Sequence, residues 1–119
     1  MDYEQFFRSF PGAVTVCDRN GVILEMNARA GETFASDGGR ALLGSNVLDC
    51  HPEPARTKLR SMLGEGRTNV YTIEKNGLKK LIYQAPWLEN GEYRGFLELA
   101  IIIPGDMPHF IREAKGDTA

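Results

Sequence analysis

The stretch that decides the fold runs from residue 68 to residue 103 and reads "TNVYTIEKNGLKKLIYQAPWLENGEYRGFLELAIII". Asn76-Gly77 and Asn90-Gly91 each stand between apolar runs. An Asn-Gly pair favours the two-residue turn of a β-hairpin, because both turn positions need a positive φ. The stretch therefore predicts three antiparallel strands joined as a meander.

The charged residues of these strands predict which side chains face the core. A strand alternates its side chains between two faces, so one charged residue assigned to water fixes the others. Glu74 and Glu98 are assigned to solvent on this argument, and Pro86 predicts a bulge or an edge near Trp87, because it cannot donate to a ladder. The side chains then predicted to face the core are Tyr71, Ile73, Leu97, Leu99, Ile101 and Ile103.

Two further strands are predicted before the meander. "AVTVCD" (13–18) and "VILEMN" (22–27) are strand-like runs, and the turn residues 18–21 between them favour a second hairpin. The side chains of this hairpin expected to share one face are Val14, Val16, Val22, Leu24 and Met26.

Three segments are predicted to be helical. Residues 3–10 place four aromatic residues at helical spacing, as a cover for the sheet or as a dimer contact. Residues 28–45 are rich in small residues and predict short helices and loops, with Asn27 as a helix N-cap. Residues 54–63 carry one apolar stripe, and Gly64 suits the left-handed position after a helix. The stripe consists of Ala55, Leu59, Met62 and Leu63.

The bulk properties describe a single globular domain. The chain has 119 residues, of which 42% are hydrophobic and 25% charged. The net charge is −2 and no basic block is present, so the sequence lacks the clustered positive charge that is typical of nucleic-acid-binding proteins. The longest apolar run, residues 99–103, is too short to cross a bilayer, and the first residues lack the pattern of a signal peptide. Two separated cysteines indicate free thiols in a reducing cytoplasm.

In this order, the elements and their residues resemble a PAS domain. The residues that carry the resemblance are "RNGVILEMN" (19–27), "LLGSNVLDCHPEP" (42–54), "LRSMLGEG" (59–66) and "NGEYRGFLELAIII" (90–103). The resemblance implies an α+β fold, with a PAS-like five-stranded antiparallel sheet, short helices on one face and a small pocket between them. The expected organisation is an N-terminal amphipathic helix (1–10), a PAS domain (11–104) and a C-terminal tail (105–119). The Cys-His-Pro wording is similar to a bacterial subgroup of small sensory PAS proteins.

Cys50 and His51 stand together in the segment that opens the third helix. Adjacent side chains point in different directions, which disfavours a shared metal ion or a Cys–His nucleophilic pair. Cys17 and His109 are distant and show no metal-ligand spacing. The segment is interpreted chiefly as a helix entrance, in which proline fits the first turn and Asp49 can cap free N–H groups. We therefore expect no metal site, no catalytic residues and no enzymatic activity.

The resemblance also implies two possible cofactors, haem and flavin. In the haem-binding PAS oxygen sensors the proximal histidine lies within the long helix, whereas "PARTKLRSML" (54–63) contains none, so that His51 would have to act from outside it. In the photoactive flavin PAS domains the reactive cysteine belongs to "GRNCRFLQ". Aligning residues 44–46 with its start places Val47 at that cysteine, and Cys50 three positions later. The cofactor stays unknown at this point.

The expected function is that of a sensory and signalling module which binds a small ligand in an apolar pocket. It would act through protein contacts in signal transduction or transcription regulation, as a homodimer formed through Phe6, Phe7 and Phe10, toward an output protein or domain. Alternatives are a haem- or flavin-binding redox or gas sensor and, third, a small enzyme using Cys50 and His51. The residues expected to line the pocket are Val47, Cys50, His51, Leu59, Met62, Leu63, Tyr71, Tyr83 and Leu99.

Overall fold

Five antiparallel strands form one sheet in the computed structural model, which describes residues 1–114. Their spatial order is β2-β1-β5-β4-β3, so the first hairpin joins the meander through β1 and β5. The predicted α+β architecture with a five-stranded antiparallel sheet is confirmed. The strands are β1 (Ala13–Asp18), β2 (Ile23–Met26), β3 (Asn69–Lys75), β4 (Leu78–Glu89) and β5 (Glu92–Ile103).

Both Asn-Gly hairpins of the meander have the geometry predicted for them. Asn76 and Gly77 have φ of 55° and 77°, and Asn90 and Gly91 have φ of 53° and 80°. Two consecutive positive φ values are what a two-residue hairpin turn of this kind needs, and asparagine and glycine adopt them at the lowest cost. Local sequence therefore sets the pairing of β3 with β4 and starts that of β4 with β5.

Three α-helices and three short 3₁₀ turns complete the fold. The helices are α1 (Tyr3–Ser9), α2 (Ala28–Thr33) and α3 (Ala55–Glu65), and the turns cover Ala35–Asp37, Gly39–Leu42 and Val47–Cys50. α3 ends at Gly66, whose φ is 63°, so the prediction that Gly64 follows the helix is wrong. The Tyr93 hydroxyl donates to the Leu63 carbonyl oxygen at 2.6 Å and fixes this end of α3 on the sheet.

The predicted facing of β5 is wrong. Phe96 packs with Met62 and Leu63 of α3, and Ala100 packs on a buried cluster beside α2. Residues 96, 98 and 100 therefore face the helices, and residues 97, 99, 101 and 103 lie on the opposite face of the sheet. The error came from assigning Glu98 to water, and the correct parity places its carboxylate on the helix side.

The predicted facing of the first hairpin is wrong as well. Ala13 and Cys17 are buried beneath the helices, so Val14 and Val16 lie on the other face of β1. In β2, Val16 pairs with Glu25 and Cys17 with Ile23, which leaves Leu24 as the extra residue of a β-bulge. The bulge turns Leu24 outward and breaks the alternation on which the prediction relied.

Asn27 is the fully buried polar residue whose side chain connects β1 to the start of α2. Its side-chain oxygen accepts from the N–H groups of Ala30 and Val14, both at 3.0 Å. Its amide nitrogen donates to the Gly12 carbonyl at 2.8 Å and, at 3.4 Å, to that of Phe10. The predicted N-cap of α2 is confirmed, and the same side chain also holds the chain that enters β1.

The remaining chain adds no further element to the described part. Residues 104–114 contain no helix or strand, and the rest of the expected tail, residues 115–119, lies outside the described residues. No helix of the described chain is long and apolar enough to cross a membrane.

Candidate functional site: a cleft between the sheet and the third helix

A cleft separates the inner face of the sheet from α3 and the 3₁₀ turn before it. The sheet provides its floor and the helix and turn its roof, and three neighbouring cavities of about 70, 210 and 310 Å³ share His51 in their walls. The side chains around the smallest of them include Thr15, Cys17, Val47, His51, Leu59, Leu63, Gln84, Phe96 and Glu98. The cleft is therefore mostly apolar, with a few polar groups, as small-molecule sites generally are.

A row of polar side chains crosses the floor of this cleft. Asn69 of β3 pairs with Gln84 of β4, Gln84 pairs with Glu98 of β5, and Glu98 pairs with Thr15 of β1. Residues that pair directly across strands project to the same face, so all four share the helix side. Met26, buried to 1% exposure, is the next partner of Thr15 and ends the row.

Three members of the row are hydrogen bonded in series. The Gln84 side-chain amide donates to Glu98 Oε1 at 2.9 Å, and the Asn69 amide donates to Gln84 Oε1 at 3.1 Å. An ionised carboxylate only accepts, so Glu98 fixes the orientation of the Gln84 amide, which in turn fixes that of Asn69. The ladder thus runs in one direction, with one N–H of each amide donated toward Glu98.

His51 is held in the roof of the cleft by its ring and its backbone. Its Nδ1 lies 2.6 Å from the Val47 carbonyl oxygen, and since a carbonyl only accepts, Nδ1 carries the hydrogen of this bond. The carbonyl of His51 accepts from the Arg56 guanidinium at 3.0 Å. In the neutral imidazole, Nε2 is then the acceptor nitrogen, so His51 adds a second acceptor to the cleft.

The turn that carries Val47 and His51 is fastened to the first hairpin. The Val47 N–H donates to the Gly21 carbonyl at 2.8 Å, and Asn46 donates to the Asn20 carbonyl at 3.0 Å while accepting from the Leu48 N–H. Glu53, rather than the expected Asp49, caps the start of α3, because its carboxylate accepts from the Thr57 N–H at 2.8 Å. The roof residues are therefore positioned by local hydrogen bonds.

Burial and the carboxylate of Glu98 act together on two neighbouring groups. Burial raises the pKa of the Cys17 thiol to about 11, against a hydrogen bond from the Phe96 backbone, while the charges of Asp18 and Glu98 raise it further. Burial also raises the pKa of Tyr71, and the charge of Glu98 adds to this effect. Negative charge on these groups is disfavoured in the cleft, so Cys17 is a poor nucleophile at neutral pH.

Seven of the nine residues predicted for the pocket lie around the cleft. They are Val47, Cys50, His51, Leu59, Met62, Leu63 and Tyr71. Tyr83 and Leu99 do not, because they pair with each other on the opposite face of the sheet, where Tyr83 is 40% exposed. The prediction for Leu99 followed from the reversed facing of β5, and Tyr83 of β4 lies on the same outer face because it pairs with Leu99.

The polar floor of the cleft was missed from the sequence. Counting outward from the Asn90-Gly91 turn would set Gln84 opposite Leu97, but a register shift between Trp87 and Leu88 sets it opposite Glu98. The expected bulge near Trp87 is confirmed, and it is this bulge that aligns the two polar side chains. Counting the register with this bulge included places Gln84 opposite Glu98.

The neighbouring Cys50 and His51 side chains make no hydrogen bond to each other in the described chain. The His51 ring is bonded to a backbone carbonyl, and Cys50 is exposed. Within residues 1–114, no group of three or more His, Cys, Asp or Glu side chains is placed to share a metal ion.

Comparisons with known proteins agree with this architecture. The sequence model of a family described as "PAS fold" matches residues 7–67. The fold is similar to the PAS domain of an HTR-like protein from Haloarcula marismortui (17% identity, 85% of this chain and 88% of that one, TM-score 0.61). It is also similar to the PAS domain of BvgS from Bordetella pertussis (17% identity, 86% and 84%, TM-score 0.62). A third similar structure is the Aer2 receptor of Vibrio cholerae, described as a dual PAS-haem oxygen sensor (20% identity, 78% and 95%, TM-score 0.61). No curated protein matches the sequence.

Proposed function

This chain belongs to the PAS-fold family, and we propose that it is a sensory module that binds a small molecule in the cleft between its sheet and α3. The observation that carries the proposal is the polar row of Asn69, Gln84 and Glu98 on an otherwise apolar floor. Partial burial of a carboxylate costs folding free energy, so its presence on an apolar floor calls for a reason other than stability. Ligand recognition is such a reason, since a few polar groups in an apolar cavity fix the orientation of a ligand.

Binding is tested by blocking the cleft. Leu59 of α3 lines two of the cavities, so Leu59→Trp should fill the space and abolish chemical-shift changes at Val47 and Phe96 during NMR screening of a small-molecule fragment library. Leu24→Trp is the matched control, because Leu24 is 44% exposed on β2 and does not line these cavities. A library that shifts no cleft resonance in the unmodified chain would refute the proposal.

A ligand in the cleft would reach α1 through Met26. This side chain lines the cavity of about 210 Å³ and also the groove beneath α1, which Tyr3 and Phe7 border. A ligand shifts the equilibrium between two arrangements of a protein only by binding one of them more tightly than the other. We therefore propose that repacking of Met26 moves α1 and changes the surface offered to a signalling partner.

Dimerisation through α1 is the second part of the proposal. Tyr3 and Phe6 are 77% and 55% exposed, whereas Phe7 and Phe10 are half-buried against the domain. Of the three phenylalanines expected at the contact, Phe6 is thus the one available to a second copy. Phe6→Ser should weaken the dimer at least about tenfold in sedimentation equilibrium, whereas Leu88→Ser, an exposed change far from α1, should not. Equal masses for the two variants and the unmodified chain would contradict an α1-mediated dimer.

Haem binding is the alternative that one observation favours. His51 donates from Nδ1 to a backbone carbonyl, an arrangement that orients many metal-ligating histidines and leaves Nε2 for the metal. Haem would supply the capacity to bind a diatomic gas, and the Aer2 receptor of similar fold is described as a haem sensor. The three cavities beside His51, of about 70, 210 and 310 Å³, include one within the range of about 300–1,000 Å³ of typical ligand pockets, so cavity size does not separate haem from a smaller occupant.

A visible spectrum separates the alternatives. Protein purified without added cofactor should be colourless if the cleft holds a small organic ligand. A Soret band that disappears in His51→Ala would establish haem instead, and the visible absorption bands of a flavin would establish flavin.

A further inference from the structure

We propose that the cleft selects small molecules that carry a protonated amine or amidine on an apolar body, with Glu98 as the carboxylate that recognises them. The inference rests on the proposed function and adds the ligand class. It follows from the hydrogen-bond inventory of Glu98, the charges around the cavity of about 210 Å³ and the direction of the polar ladder.

Glu98 has unused hydrogen-bonding capacity. A carboxylate offers two oxygens and about four acceptor positions. In the described chain, Gln84 provides its side-chain hydrogen bond, to Oε1, and none of the ion pairs of residues 1–114 includes Glu98. The strand keeps this carboxylate half-buried, so a ligand that brings a donor to Oε2 replaces water that is partly excluded already.

The cavity of about 210 Å³ next to Glu98 contains negative charge and no side chain of opposite charge. Asp37 and Glu98 are its carboxylates, and none of the residues in its wall is lysine or arginine. His51 and Cys50 are its other titratable groups, and the rest of the wall is apolar or uncharged: Thr15, Ile23, Met26, Phe34, Leu42 and Val47. An anionic ligand would be repelled there, whereas a cationic one would be attracted at a short distance from Glu98.

The direction of the polar ladder leaves an acceptor at its Glu98 end. Asn69 and Gln84 each donate an amide N–H toward Glu98, and Oε2 of Glu98 has no side-chain partner in the described chain. A free carboxylate oxygen matches a ligand that donates N–H groups, which an amidine provides in a planar arrangement and an ionised carboxylic acid does not.

Lys58 provides the counter-argument. It lines the neighbouring cavity of about 310 Å³, together with Tyr71, where an anion could find a positive charge. Lys58 is exposed on α3, however, and Glu98 does not line that cavity. The two ligand classes therefore predict different responses to substitutions at residues 58 and 98.

The test is a titration of the full chain with four probes of nearly equal size. Benzamidine and benzylamine are cationic, benzyl alcohol is neutral and benzoate is anionic, and binding is followed by calorimetry and by NMR shifts of Thr15 and Phe96. We expect both cationic probes to bind at least about tenfold more tightly than benzoate, because a charge-assisted hydrogen bond in a half-buried site is among the stronger ones. Glu98→Gln, which keeps the shape, should remove that preference.

Glu74→Gln is the matched control, since Glu74 is an exposed carboxylate of the same sheet that does not line these cavities. It loses the same charge and should keep the preference. Equal affinities for all four probes, or an unchanged preference in Glu98→Gln, would overturn the ligand class while leaving small-molecule binding in place. Tighter binding of benzoate that is lost in Lys58→Gln would overturn it in favour of an anion. If no probe and no library fragment shifts a cleft resonance, the proposed function itself fails.

Discussion

Replacing Asn27 by alanine should destabilise this protein more than any other removal of a single polar side chain. The change leaves two buried N–H groups, those of Val14 and Ala30, and the carbonyl of Gly12 without their partners. Each buried backbone group left unpaired costs about 1–3 kcal/mol, and a lost N-cap costs about 1 kcal/mol. We expect a loss of about 3–5 kcal/mol, a large part of the roughly 5–15 kcal/mol that stabilises a domain.

The measurement is urea unfolding followed by circular dichroism, with Asn46→Ala as the matched control. Asn46 also caps a turn, accepting from Leu48 at 2.9 Å, but it is half-exposed, so water can replace its side chain. The control should lose only about 1 kcal/mol. A loss in Asn27→Ala no larger than in the control would refute the account of Asn27 as the buried junction.

Aspartate at the same position separates the donor from the acceptor. Asn27→Asp keeps an oxygen for Val14 and Ala30 but places a carboxylate where the amide donated to the Gly12 carbonyl. Burial raises the pKa of the new carboxyl above its unfolded value, so the folded state binds the proton more tightly. The deficit relative to the unmodified chain should therefore be present at pH 7 and shrink as the pH falls toward 4, whereas that of Asn27→Ala should not change with pH.

Substitutions of glycine and cysteine, together with thiol labelling, test the packing of the sheet and the cleft. A Cβ on Gly95 would clash with the Cys17 carbonyl oxygen, so Gly95→Ala should unfold the domain or lower its melting temperature strongly. Gly64→Ala is the matched change in open space within α3, and it should stabilise the domain by about 0.5–1 kcal/mol. Ellman's reagent should label exposed Cys50 rapidly and buried Cys17 only on unfolding. Since burial raises the pKa of the Cys17 thiol from 9.0 to about 11, the unmodified chain should lose about 2–3 kcal/mol more stability between pH 9 and pH 11 than Cys17→Ala does.

The predictable part of this fold is the part that local sequence determines. Asn76-Gly77 and Asn90-Gly91 gave the meander because positive φ values select these residues. Asn27 gave a helix start because its side chain competes for backbone N–H groups. The resemblance to PAS domains supplied the union of all five strands in one antiparallel sheet, which no local pattern contains.

The facing of the strands could not be predicted by the same means, since it depends on two bulges and on an exception to charge exposure. Leu24 is the extra residue of one bulge, and the other shifts the register beside Trp87. Each extra residue reverses the alternation beyond it. The outer face of β5 is as apolar as the inner one, so hydrophobic pattern alone could not decide between them.

The failed assignment of Glu98 supports the proposal that the cleft binds a ligand. Stability alone would place an apolar side chain at residue 98, where the neighbours on the inner face are Phe96 and Ala100 and the helix opposite contributes leucines. Gln84 and Glu98 are half-buried and hydrogen bonded to each other, at positions where folding alone does not require a carboxylate. Sequence reasoning built on folding is expected to fail where another requirement governs the residue. In this sheet it failed at the carboxylate that faces the cleft, which supports the proposal that Glu98 recognises a ligand there.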